Sequence, residues 1–77
     1  MEGVRAGVPD LCLAVNNGRY GALYVELKTK TGKVTDLQRK WQEMAEKSGN
    51  KCVVIRDLDE FINEVNTYLN ELKNRSP

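Results

Sequence analysis

Two apolar segments separated by a short polar stretch dominate the first third of the chain. Residues 10–15 and 20–28 are short runs rich in apolar side chains, which is consistent with buried strands. Residues 16–19, with the sequence Asn-Asn-Gly-Arg, are typical of a tight hairpin turn. The pattern therefore predicts two antiparallel strands joined by a hairpin.

The rest of the chain alternates between helical and strand spacing. Thr35 is a predicted N-cap, and the helix that follows it is expected to run to about Ser48 and to end at Gly49. A short buried strand is predicted over residues 51–56, and a last helix over residues 57–73, capped by Asp57. The predicted apolar stripe of this last helix contains Leu58, Phe61, Ile62, Val65, Leu69 and Leu72.

This order of elements predicts an α/β fold with one small mixed sheet. The first two strands form the antiparallel hairpin, and the strand–helix–strand segment after them predicts a right-handed parallel crossover. Seventy-seven residues are enough for one thin core, so we expect a single domain over residues 1–77. Trp41 has helical spacing with Leu37 and Ala45, which favours a core position over a base-stacking platform.

Three charged side chains on the two hairpin strands suggest metal chemistry. Asp10 opens the first strand, and Glu26 and Lys28 lie on one face of the second, because side chains alternate between faces. Carboxylates hold hard divalent cations such as Mg²⁺, and a neighbouring lysine can orient water or stabilise an anionic transition state. The set suits hydrolysis of phosphodiester bonds.

The metal site makes a demand on the strand register. With a two-residue loop at Asn17-Gly18, Asp10 would face Val25, and Asp10 and Glu26 would point to opposite faces of the sheet. A shared metal therefore requires a loop with an odd number of residues or a bulge, for which Gly21 is the expected place.

Composition excludes several classes of function. There is no histidine, which excludes Ser-His-Asp and Cys-His catalysis and histidine–metal nucleases. No stretch is long and apolar enough for a membrane span. Cys12 and Cys52 lie inside predicted strands, and we expect buried free thiols in a reducing compartment rather than a disulfide.

The net charge of +1 conceals a strong segregation of charge. A basic block directly follows the candidate site and contains Lys28, Lys30, Lys33, Arg39 and Lys40, with Asp36 as its one acidic residue. The segment 57–71 is acidic and carries no lysine or arginine. The basic block alone is more often a solvated surface, but beside a metal site it favours contact with phosphates.

Several motifs resemble those of a known nuclease family. They are Gly-Val-Pro-Asp-Leu at 7–11, Tyr-Val-Glu-Leu-Lys-Thr at 24–29, and Gly-Lys-Val-Thr-Asp-Leu-Gln at 32–38, followed by Trp41 and Gly49. Their order and spacing over roughly residues 3–60 resemble the VRR-NUC branch of the PD-(D/E)XK nuclease superfamily. Glu-x-Lys alone is weak evidence, but the three motifs together are specific.

The resemblance implies a Mg²⁺- or Mn²⁺-dependent DNA endonuclease. The implied metal ligands are Asp10, Glu26 and the Leu27 carbonyl, Lys28 would orient or activate the attacking water, and Gln38 would assist. Gln38 also has a competing role, because it occupies the capping-box position of its helix. The implied DNA contacts are Arg5, Lys30, Lys33, Arg39 and Lys40.

The resemblance also implies partners and a location. Stand-alone members suggest cleavage of branched or junction DNA by a homodimer in the cytoplasm of a bacterium or of a phage-infected host. Family members usually carry a helix before the Pro-Asp strand, and only nine residues precede Asp10 here. We therefore expect either a minimal member without the first helix or a chain truncated upstream.

That missing helix leaves two alternatives to the nuclease open. The first is a non-catalytic module that binds nucleic acid or assembles with other proteins while retaining the nuclease fold. The second is a structural partner subunit, which rests only on the sheet face that the loss would expose. For the homodimer, we expect a two-fold contact through this sheet face or through the last helix.

Overall fold

The computed structural model describes residues 7–74, which form a three-stranded sheet and two helices. In chain order these are β1 (Leu11–Leu13), β2 (Leu23–Leu27), α1 (Asp36–Lys47), β3 (Lys51–Ile55) and α2 (Leu58–Asn74). The sheet order is β1-β2-β3, with β1 antiparallel and β3 parallel to β2. The predicted α/β fold with a small mixed sheet is confirmed.

The strand register meets the demand of the metal-site hypothesis. Leu11 pairs with Val25, so continuing the ladder by one position brings Asp10 opposite Glu26 on the same face. The irregularity lies in a wide loop built around Asn17 rather than in a bulge at Gly21. The buried Asn17 side chain accepts the backbone N–H groups of Arg19 and Tyr20 at 2.9 and 2.8 Å, which closes the loop from inside.

The main core lies between the sheet and α2. Leu23, Val25 and Ile55 are buried there against Tyr68, with Phe61 packed beside them. Tyr68 fits this apolar core because its hydroxyl donates to the Val15 carbonyl oxygen at 2.5 Å, with the Tyr20 carbonyl oxygen as a second, longer acceptor at 3.2 Å. Its backbone carbonyl accepts the Asn17 side-chain amide at 3.0 Å, so the core and the hairpin loop are tied together.

The predicted apolar stripe of α2 is wrong in part. Phe61 and Val65 are partly buried, and Tyr68, which the stripe omitted, is fully buried. The helix is rotated toward Tyr68, and the remaining members of the stripe are exposed to solvent: Leu58, Ile62, Leu69 and Leu72. Asp57 caps the helix as predicted, because its carboxylate accepts the N–H of Glu60 at 2.8 Å.

The other face of the sheet packs against α1. The Tyr24 and Trp41 rings meet edge to face with centroids 4.8 Å apart, so Trp41 packs on the sheet as expected. Thr35 and Gln38 form a complete capping box, which explains the sharp start of α1 after the connecting loop. The helix therefore begins at a fixed point close to the end of β2.

The two cysteines are free, but only one is shielded. Cys12 is exposed on β1, which corrects the expectation that both thiols are buried. Both helices pack mainly on β3, at the far side of the sheet from β1, and the residues of β1 are exposed or half-buried. Burial, followed by the charge of Glu46, raises the pKa of the Cys52 thiol to about 11, which keeps it protonated and unreactive. Within the described residues, no helix is long and apolar enough to span a membrane.

Candidate active site

Glu26 is the buried carboxylate of the candidate site. It lies near the end of β2 with 4% of its surface exposed. One carboxylate oxygen, Oε2, accepts the side-chain amide of Gln38 at 2.9 Å, and the other, Oε1, is buried with no hydrogen-bond partner within residues 7–74. A buried acceptor without a partner costs about 1–3 kcal/mol, so its presence suggests a ligand-binding role.

Lys28 and Asp10 flank Glu26 on the same face. The Lys28 ammonium lies 3.7 Å from Glu26 Oε2. Burial, and after it the charge of Asp10, raises the pKa of Glu26, while Lys28 opposes the shift. Burial and mutual repulsion both disfavour two ionised carboxylates placed this close together. A bound cation would stabilise such a pair.

Asp10 also holds the end of β2 through a backbone contact. Its Oδ2 accepts the N–H of Leu27 at 2.7 Å. Since the N–H of Lys28 bonds to Ile55 on β3 at 2.9 Å, alternation along β2 turns the N–H and carbonyl of Leu27 toward the β1 side. The Asp10 side chain therefore replaces a main-chain partner at this point.

Within the described residues the β1–β2 ladder gives the Leu27 carbonyl no partner, and the presence of Pro9 agrees with this. β1 begins at Leu11, and extending its register two positions beyond the Leu11–Val25 pair would bring Pro9 opposite Leu27. Proline has no N–H, so it cannot donate to the carbonyl that faces it. The Asp10 carboxylate thus caps the Leu27 N–H, and the Leu27 oxygen accepts no backbone hydrogen bond from within residues 7–74.

Gln38 closes the capping box and also contacts Glu26, two placements that the sequence presented as alternatives. Its Oε1 accepts the N–H of Thr35 at 2.9 Å and closes the capping box, while its Nε2 donates to Glu26. An amide has an acceptor end and a donor end, so one side chain serves both. The start of α1 is thereby fixed to the buried carboxylate.

Gly7 allows the segment before Asp10 to approach α1 closely. A Cβ at this position would lie 2.6 Å from the Leu37 carbonyl oxygen, and its φ of +92° is one that other residues rarely adopt. Only glycine allows this backbone contact. Gly7 therefore brings the Pro-Asp segment against the same helical turn that carries Gln38.

Comparison with known proteins bears on this geometry. A sequence model of the VRR-NUC domain family matches residues 1–57, which is most of the chain. The chain belongs to the VRR-NUC family. A solved structure described as a VRR_NUC domain protein is similar, with a TM-score of 0.83 and 33% sequence identity, and the match covers 90% of this chain. This chain spans 58% of the length of that relative. No curated protein matches.

VRR-NUC domains are nuclease domains that generally use divalent metals, and the donor set here fits such an ion. Mg²⁺ is commonly held by one or two carboxylates while it keeps several waters. Oxygen donors of this kind are present in Asp10, Glu26 and the Leu27 carbonyl. Among them, the buried Oε1 of Glu26 lacks a hydrogen-bond partner within the described residues, so a bound cation would satisfy it. No group of three or more aspartate, glutamate, cysteine or histidine side chains gathers within the described part of the chain.

The basic residues that the sequence assigned to DNA contact lie on the surface of this VRR-NUC domain where the structure describes them. Lys30, Lys33, Arg39 and Lys40 are all exposed. Arg39 is paired with Asp36 at 3.0 Å, an exposed contact of small energetic weight that phosphate could displace. Arg5 lies outside the described residues.

One residue beside the site escaped the sequence analysis. Arg56 follows β3 as Lys28 follows β2, and its guanidinium bonds to carbonyls of the loop before α1. The clue was available, since a parallel β2–β3 pair sends the residues after each strand to the same sheet edge. The carbonyl groups that Arg56 binds could not be predicted, because they depend on the loop conformation and hydrophobic periodicity carries no information about loops.

Proposed function

We propose that the chain is a Mg²⁺- or Mn²⁺-dependent endonuclease that hydrolyses phosphodiester bonds in DNA. The observation that carries the proposal is the buried Glu26 carboxylate, with one oxygen unpartnered and with Asp10, Lys28 and Gln38 around it. Membership of the VRR-NUC family supports the nuclease activity. We propose in addition the identity of the metal, the residues of the site and the form of DNA that is cut.

Each side chain has a role in the proposed mechanism. The metal would be held by Asp10, Glu26 and the Leu27 carbonyl. Such an ion, when bound, lowers the pKa of a coordinated water and neutralises charge on the scissile phosphate. Lys28 orients the attacking water or stabilises negative charge on the phosphate, because its ammonium is held next to Glu26. Gln38 fixes the Glu26 carboxylate so that Oε1 stays available.

DNA binding is assigned to the basic surface around this site. Four of the assigned residues are exposed, namely Lys30, Lys33, Lys40 and Arg39, and of these Arg39 would exchange its exposed contact with Asp36 for a phosphate. Arg5 is assigned with them from the sequence. Contacts of this kind position DNA without reading its bases. Selectivity would therefore come from DNA shape, which agrees with the proposed preference for branched or junction DNA.

The whole of residues 1–77 is proposed to act as one nuclease domain, present as a homodimer in the cytoplasm. Two sites related by a two-fold axis suit symmetric cuts in a junction. Exposed leucines on β1, β2 and α2 supply an apolar surface for a second copy.

A cleavage assay tests the proposal directly. Plain, nicked, flapped and four-way DNA are incubated with the chain and Mg²⁺ or Mn²⁺, with EDTA as the control. We expect metal-dependent cleavage that is abolished by Asp10→Asn, Glu26→Gln or Lys28→Ala, each with a circular dichroism spectrum like that of the wild type. Full activity of Lys28→Ala would remove the role of the lysine, and cleavage in EDTA would reject the metal mechanism.

A second candidate function has one specific observation in its favour. Only two carboxylates meet at the site among the described residues, which is a sparse ligand set. The alternative is therefore a non-catalytic module of the VRR-NUC fold that binds nucleic acid. Salt-dependent DNA binding with no cleavage under any metal would select this alternative.

A further inference from the structure

Arg56, the first residue after β3, holds the loop that joins β2 to α1. Its Nη1 donates to the carbonyl oxygens of Thr29 and Gly32 at 2.7 Å each and approaches that of Lys30 at 3.4 Å. The nitrogen has two N–H groups, so the two short bonds use both. Hydrogen bonds from a cation are stronger than neutral ones, so a single side chain holds three carbonyl groups of one loop.

The sheet places Arg56 where it can make these bonds. Leu27 pairs with Ile55 in the parallel ladder, so Lys28 and Arg56 leave the sheet side by side. The loop then folds back on itself, because the N–H of Gly32 bonds to Thr29 Oγ1 at 3.0 Å. One end of the loop carries Lys28, and the other leads into the turn that carries Gln38.

The charge of Arg56 is directed to the loop and not to the acidic helix that follows. Within residues 7–74 its guanidinium forms no ion pair with a carboxylate. Glu60 instead accepts the backbone N–H of Arg56 at 2.7 Å, and Asp57 caps α2. Asp57 and Glu60 thus accept backbone N–H groups at the start of α2, and the guanidinium of Arg56 binds the loop carbonyls instead.

We propose that Arg56 is a positioning residue for DNA binding and cleavage. It fixes residues 29–32, so that Lys28 stays beside Glu26 and Lys30 and Lys33 are presented from an ordered loop. The proposal rests on the proposed function. A loop that is already ordered loses less conformational entropy when its lysines meet DNA, so its fixation favours binding although Arg56 itself touches no phosphate.

The first test follows the loop without any nuclease activity. The full chain in EDTA is digested briefly with trypsin, and cleavage after Lys30 and Lys33 is timed by mass spectrometry. Arg56→Gln is expected to speed this cleavage roughly tenfold or more, since two charge-assisted bonds are lost. Arg19→Gln makes the same chemical change at the hairpin loop, at the opposite end of β2, and should match the wild type. Unchanged loop cleavage in Arg56→Gln overturns the proposal.

The second test asks whether Arg56 acts through the loop lysines. DNA affinity is measured in EDTA for Arg56→Gln, for Lys30→Ala with Lys33→Ala, and for the triple variant. A positioning role predicts that Arg56→Gln weakens binding of the wild type but not of the chain that already lacks both lysines. Equal weakening in both backgrounds, with the salt slope lowered by about one, would indicate direct phosphate contact and overturn the proposal.

The two tests separate this proposal from the nuclease itself. If the wild type cuts no DNA, the proposed function fails while the trypsin result still decides the role of Arg56 in the loop. If Arg56→Gln does not fold, Arg56→Lys keeps the charge and the aliphatic stem but lacks the planar pair of N–H groups. Faster loop cleavage in this variant supports the proposal, and wild-type protection overturns it.

Discussion

Glu26 is a residue whose charge the fold makes costly. Its pKa is raised first by burial and then by Asp10, so the ionised form is less favourable in the folded chain than in the unfolded one. The sign of the linkage follows: stability is lost as the pH rises from below the ordinary carboxyl pKa through the raised one. Removal of this charge should therefore stabilise the metal-free fold at neutral pH.

We predict that Glu26→Gln has a higher Tm than the wild type at pH 7 in EDTA. The advantage should fade toward acidic pH, where the wild-type Glu26 is protonated in both states. Thermal unfolding followed by circular dichroism across this range measures it. Glu43→Gln, at an exposed position of α1, is the matched control and should show no such difference. A lower Tm for Glu26→Gln at pH 7 would contradict the assigned penalty.

Pro9 is the second residue with a role that can be isolated. If the β1–β2 register is extended past Leu11, Pro9 faces the Leu27 carbonyl, and without an N–H it cannot donate to it. We predict that Pro9→Ala supplies the missing N–H, which competes with a metal for the carbonyl oxygen. The rise in Tm on adding Mg²⁺ should then be smaller in Pro9→Ala than in the wild type, at the same Mg²⁺ concentration.

The size of the metal effect can be estimated. A tenfold excess of Mg²⁺ over its Kd stabilises the fold by about 1.4 kcal/mol, which corresponds to a Tm shift of roughly 6–11 °C in a chain of this size. Val8→Ala, next to Pro9 and half-exposed, is the control and should keep the full shift. An equal Mg²⁺ response in Pro9→Ala and the wild type would remove the carbonyl from the ligand set.

At the scale of elements, the site is assembled where the Gly7–Asp10 segment, β2 and the first turn of α1 meet. Gly7 sets the distance between the first and the last of these. We predict that Gly7→Ala separates the Pro-Asp segment from α1, because the new Cβ would lie 2.6 Å from a backbone oxygen at an unfavourable φ. Loss of roughly 1–3 kcal/mol of unfolding free energy is expected from the strained backbone alone.

Denaturant unfolding and the cleavage assay measure the Gly7→Ala effect together. Gly49→Ala is the control for the conformational part, because Gly49 also has a positive φ but a Cβ there would meet no atom within 4 Å. We expect Gly49→Ala to lose stability and to retain its activity when folded. If Gly7→Ala is as stable and as active as Gly49→Ala, close approach to α1 has no role in the site.

The elements also show what sequence patterns can predict here. Alternation along β2 placed Glu26 and Lys28 on one face, and the need for Asp10 on that face correctly required an irregular hairpin. The closure around Asn17 was not predictable, because it depends on side-chain bonds inside the loop. The orientation of α2 was not predicted for a related reason. Tyrosine has an apolar ring and a polar hydroxyl, and Tyr68 can lie in the core only because backbone carbonyls accept its hydroxyl group.

The whole molecule leaves part of its apolar surface in contact with water. Leu11 at the start of β1, Leu27 at the end of β2 and Leu58 at the start of α2 are 44%, 47% and 70% exposed. They line one groove with Ile55 and Phe61. Along α2 the apolar residues Leu58, Ile62, Val65, Leu69 and Leu72 are spaced by four and three positions, the spacing that helices use to pack on one another.

We predict that this surface pairs two copies of the chain about a two-fold axis. Light scattering or sedimentation at micromolar concentration should give the mass of a dimer for the wild type. Leu58→Glu combined with Leu69→Glu should give a folded monomer, because two buried, unpaired carboxylates would oppose the contact. Met44→Glu, at an exposed position on α1, is the control and should stay dimeric.

The same variants connect assembly to substrate choice. If paired sites make the two cuts in a four-way junction, the monomeric variant should still nick flapped or plain DNA but lose coordinated cleavage of both junction strands. A wild type with the mass of a single chain would reject the dimer. Coordinated junction cleavage that persists in a proven monomer would show instead that one site acts twice in succession.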